Sequence, residues 1–199
     1  FLAALPRPGS LAGMPVAASD AMSVAVAAGE CVVAATVGGL LVPSVTAYGP
    51  PGDRGLMLTW SGYAAEPVAA HRLSMITVGD AERDLRGALQ AAAAELDGGS
   101  WPLGRPAAAD RGRAAPPLPP GIPARVVRLM HTAADTLELA SAAISGDGQL
   151  HGALDAHTGA RRAGALTQLA RAAAEALTAA ATIAAMSLAP EGFRAGPAE

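Results

Sequence analysis

His131, Asp135 and Glu138 stand at steps of four and three, a spacing that puts an imidazole and two carboxylates on one face if the segment is a helix. Such a trio suits a divalent metal, with His151, Asp155 or His157 from the segment that follows completing its shell. The competing reading is a solvated helix face continued by Arg128 and Thr132, and the lack of any recognised ligand motif favours it. His151, Asp155 and His157 also contain the parts of a general base oriented by a carboxylate, although polar connections often carry these residue types without catalysing anything.

The other reactive groups are isolated. Cys31 lies in an apolar run beside Glu30, where a nucleophilic role needs a histidine such as His71, and burial as a small hydrophobe is the simpler expectation. Glu30 is then expected to be exposed at a turn between two elements. The loop Gly49–Gly55 fits neither a Walker nor a dinucleotide pattern, and the basic, proline-rich run Arg113–Pro119 has the form of a polyproline ligand. Arg161, Arg162 and Arg171 read as a solvated face rather than an anion grip. Trp60, Tyr63 and Trp101, half of the aromatic residues, read as core or docking residues.

These side chains depend on elements that the pattern outlines. Phe1–Val16 reads as an extended arm or loop, and Ser19 and Asp20 are N-cap candidates for Ala21–Val37, whose residue types divide between helix and strand. Leu40–Tyr48 and Leu56–Tyr63 are β-like runs on either side of a cluster of turn formers, so a hairpin is expected. Val68–Val78 is expected to add a third strand. From Gly79 and Asp80 a helix with Leu85, Leu89, Ala92 and Leu96 on one stripe is expected to cover the sheet.

Residues 99–122 form a Pro/Gly/Arg-rich linker. Beyond it, Val126, Met130, Ala133, Leu137, Ala140 and Ile144 recur at four-three spacing, and a second seam runs through Leu166, Ala170, Ala173, Leu177, Ala180, Ala184 and Leu188. The fold expected is α+β: a small antiparallel sheet of three or more strands covered by helices, then a C-terminal pair of long antiparallel Ala-rich helices. The expected division is an α+β domain 1–98, the linker 99–122, and a helical hairpin 123–199, with packing of the hairpin on the sheet as one domain left as the alternative.

Composition narrows the function classes. The chain has no Lys and no Asn, and about a quarter of it is Ala, the mark of a high-GC bacterial genome rather than of a function. A net charge of -3 argues against nucleic acid, and the single Cys cannot form an intrachain disulfide. The uncharged stretches 31–52 and 176–190 are respectively broken by Gly and Pro and too short, so no membrane span and a cytoplasmic location are expected. The sequence points to a non-enzymatic interaction or assembly protein without a cofactor. Its expected partner is a second copy or a helical protein, met through Val126, Met130, Leu137, Ile144, Leu166, Leu177 and Leu188. The alternative is a small-molecule- or metal-binding enzyme, or a ligand-binding regulatory domain, using the His131, Asp135 and Glu138 face.

Overall fold

A computed structural model describes residues 1–11, 13–50, 52–96, 118–147 and 156–188. It is an α+β protein with a four-stranded antiparallel sheet and two long C-terminal helices. Two compact units divide the chain: Phe1–Thr77 together with the chain from Ala181 on, and Val78–Ala180. The division between them falls at Thr77/Val78.

In the first unit, β1 (Leu2–Ala4), β2 (Cys31–Val33), β3 (Leu40–Tyr48) and β4 (Gly55–Tyr63) are ordered as in the sequence. Helix α1 (Ser19–Ala28) packs on β3. Alternation decides which face is buried: Leu2, Ala4, Cys31, Val33, Leu40 and Val42 point into one core, which Ala21 and Ala25 of α1 also enter. Ala at both helix positions lets the backbone approach the sheet closely. The Thr182 hydroxyl, from the last helix, donates to the Ala3 carbonyl oxygen at 3.3 Å.

Several expectations change here. The segment Ala21–Val37 is both things in turn, since α1 ends at Gly29 in the left-handed region and β2 follows at once. Ala18 is the N-cap, while Ser19 and Asp20 lie in the first turn. Leu2–Ala4, expected to be an arm, is an edge strand paired to β2. Val68–Val78 is not a strand: it holds α2 (Ala70–Ser74), and α3 (Val78–Leu96) begins at its end. Strand alternation would put Leu73 and Met75 on one face, yet Leu73 packs against the core while Met75 is exposed.

The second unit contains α3, α4 (Ala124–Asp147) and the greater part of α5 (Ala156–Ser187). Pro123 precedes α4, and its carbonyl accepts the first helical hydrogen bonds from Val126 and Val127. Arg125 reaches both carboxylate oxygens of Glu82, at 3.0 and 2.7 Å, so α4 starts beside the first turns of α3. Arg161 pairs with Glu95, so α5 starts beside the last turn of α3. Most of the linker lies outside the described residues, as do Trp101 and most of the polyproline-like run.

Candidate functional site

Among the described residues, those with chemical potential do not assemble into a metal-binding group. His131, Asp135 and Glu138 lie along α4, all exposed, and among the described residues no group of three or more His, Cys, Asp or Glu is placed to hold a metal ion. His157 is exposed in the first turn of α5, while His151 and Asp155 lie outside the described residues. Cys31 is buried, and its thiol donates to the Met14 sulfur at 3.3 Å. Burial first, and the Glu30 charge second, push that thiol up to about 11. A neutral thiol held against a thioether is core packing, whereas a nucleophile needs a lowered pKa. Glu30 is exposed at the junction of α1 and β2.

The helical seams are largely consumed within the chain. Val126, Leu137 and Leu166 are buried, as are Ala133, Ala140, Ala173 and Ala180; Met130 and Leu177 are half-buried. Only Ile144 and Leu188 of the expected interface residues are exposed, and they stand near the far ends of α4 and α5. Arg161 and Arg171 lie in ion pairs with Glu95 and Glu175, and Arg162 is buried. Over His157–Ser187, α5 is long and apolar enough to cross a membrane, and 44% of its most apolar window is buried inside the chain.

Among the described residues, the hairpin carries an apolar surface without a covering layer. β2 pairs with β3 only at Leu40 and Leu41, so the rest of β3 and β4 continues as a two-stranded arm. Residues opposite one another in an antiparallel ladder share a face. Register therefore separates the arm into two sides. One carries Ser44 opposite Thr59 and Thr46 opposite Met57, with Tyr48 opposite Gly55. The other carries Pro43 opposite Trp60, Val45 opposite Leu58 and Ala47 opposite Leu56. On this apolar side Leu56 is 64% exposed, Val45 59%, Leu58 53% and Trp60 47%.

That side is the reverse of the core face. At the base of the hairpin the residues facing α1 are apolar, Leu40 and Val42, but farther out the same side is mixed, with Ser44, Thr46 and Thr59 among the exposed Met57 and Tyr48. The opposite side becomes the apolar one. Neither strand contains a Lys, Arg, Asp or Glu, and β4, the sheet's outer strand, also lacks Pro. The devices that usually protect a free edge are thus missing from it.

Local chemistry fixes the arm's shape. Gly49 has φ +95, where a side chain would strain the turn and meet the Asp53 backbone. Gly55 leaves room for the Tyr48 ring, which any Cβ there would strike. Nothing in the apolar pattern alone could reveal this site, because an alternating exposed strand and an alternating buried one have the same sequence. The clue was Trp60, already marked as core or docking.

Two family models match in tandem: the Rv1486c-like protein N-terminal domain over residues 1–75 and the Rv1486c-like protein C-terminal domain over residues 79–178. The chain belongs to the Rv1486c-like family. The family's domain boundary coincides closely with the break between the compact units at Thr77/Val78. No curated protein and no solved structure matches the chain.

Proposed function

We propose that this protein works by association rather than catalysis, and that its contact surface is the apolar side of the β3–β4 arm. One observation carries the reading: Val45, Leu56, Leu58 and Trp60 form a contiguous, charge-free apolar side that no described part of the chain covers. Exposed apolar surface gathered into one face marks an interaction site, whereas the same residues scattered singly would mean little. Most residues of the α4 and α5 seams, from which association was first expected, are buried, while Ile144 and Leu188 at their ends are exposed, as are Leu139 and Met186 beside them.

Supporting the non-catalytic side of this reading, Cys31 is buried, and among the described residues the exposed His131, Asp135 and Glu138 belong to no group of three or more placed to hold a metal ion. We read α5 as a core helix of a cytoplasmic protein, because Ala173, Ala176, Ala180 and Ala184 are buried against the chain itself. A photo-crosslinking amino acid tests the proposal when placed in turn at positions 58 and 59 of the full chain in its native cell. The expected result is a discrete crosslinked protein from 58 and little or none from 59. Absence of any crosslink from 58, or equal yields from both, contradicts the reading.

A further inference from the structure

We infer that residues 181–187 of α5 are a releasable clasp on β1: docked, they close the core of the first unit, and released, they let β1 leave the sheet and uncover Cys31. These turns belong to the first unit although the greater part of α5 belongs to the second, so the division crosses one continuous helix. The holding contact spans a sequence separation of 179 residues, with the Thr182 hydroxyl donating to the Ala3 carbonyl oxygen at 3.3 Å. Thr182 is only 2% exposed, and a hydroxyl so far from water needs the acceptor that β1 supplies. The clasp is independent of the hairpin arm, because β1 and β4 form opposite edges of the sheet.

Two features make the clasp releasable. Its grip is small: the buried residues of these turns are Thr182 and Ala184, whose side chains remove little apolar surface from water, while the larger Met186 is 42% exposed. What it holds is small as well. β1 has three residues and pairs with β2 alone, Leu2 opposite Val33, Ala3 opposite Val32 and Ala4 opposite Cys31. So short an edge strand needs packing from outside its own ladder, and Leu2 and Ala4 are buried all the same. Local opening starts with the elements that have the fewest apolar contacts, and contacts between distant parts of a chain are the costliest to close. Loss of the clasp therefore frees β1 ahead of the longer strands. Departure of Ala4 then strips Cys31 of the residue directly opposite it.

Amide hydrogen exchange of the full chain, followed by NMR, and labelling of Cys31 by a disulfide reagent test the clasp together. In the wild type the amides of β1 and of residues 181–187 are expected to open at least about tenfold more often than those of α4 around the fully buried Ala133. Thr182→Glu sets a carboxylate against β1, and should speed both β1 exchange and Cys31 labelling at least about tenfold while α4 exchange stays within about threefold. Thr182→Ser keeps the hydroxyl and should label within about threefold of the wild type. The same is expected of Thr167→Glu, on the exposed surface of α5 within the second unit. Circular dichroism shows whether each variant folds, and if Thr182→Glu does not, the wild-type exchange decides. Wild-type β1 amides that open no more often than those of α4 overturn the inference. So does Cys31 labelling left unchanged by Thr182→Glu in a folded protein, or sped equally by Thr167→Glu.

Discussion

Burial and the neighbouring Glu30 raise the Cys31 thiol to about 11, so at pH 8 only about one folded molecule in a thousand carries the reactive thiolate. A disulfide reagent at pH 8 should therefore modify folded protein at least about 100-fold more slowly than protein unfolded in guanidinium. Labelling at the rate of a free thiol would contradict the burial. The sign for stability follows: an acid whose folded pKa is raised leaves stability intact below its unfolded value, and stability falls as pH climbs from there toward about 11. Cys31 and Glu30 were legible in the sequence, because a lone thiol in an apolar run and a carboxylate at its border each have one inexpensive environment. His131, Asp135 and Glu138 were legible only halfway. Spacing shows that they share a helix face, but whether that face meets a cleft or water depends on what packs beside it.

At the scale of elements, the long helices and the hairpin were readable because each repeats one period over many residues. The four-three seam predicted burial of Ala133, Leu137, Ala140, Ala173 and Ala180, and all five are buried. Ala173 is fully buried, so Ala173→Leu should cost about 1–3 kcal/mol in urea unfolding, whereas Ala163→Leu on the exposed face of the same helix should change stability by under about 0.5 kcal/mol. Equal effects would mean that the seam is not packed. Short elements defeated the same reasoning. β1 and β2 have three residues each, too few to display a period, and α2 has five. Val68–Val78 read as a strand because its β-type residues outweighed every other signal, and the five-residue α2 within it is too short to display a period.

For the whole molecule, alternation along β3 and β4 showed that the hairpin has two unlike faces, but not that its apolar one lacks a cover. The proline-rich stretch is a stronger compositional signal than the short step from Thr77 to Val78, so the division between the compact units was not legible in the sequence. On the proposed reading, what the molecule does depends on that uncovered face more than on any reactive group. Hydroxyl-radical footprinting of the full chain in its native cell and in dilute purified solution tests this most directly, because the two sides of one strand report separately. In the cell Leu58 and Trp60 should lose most of the reactivity they show in dilute solution, while Met57, on the other side, keeps its own. Leu58 and Trp60 staying as reactive in the cell as in dilute solution would contradict the account.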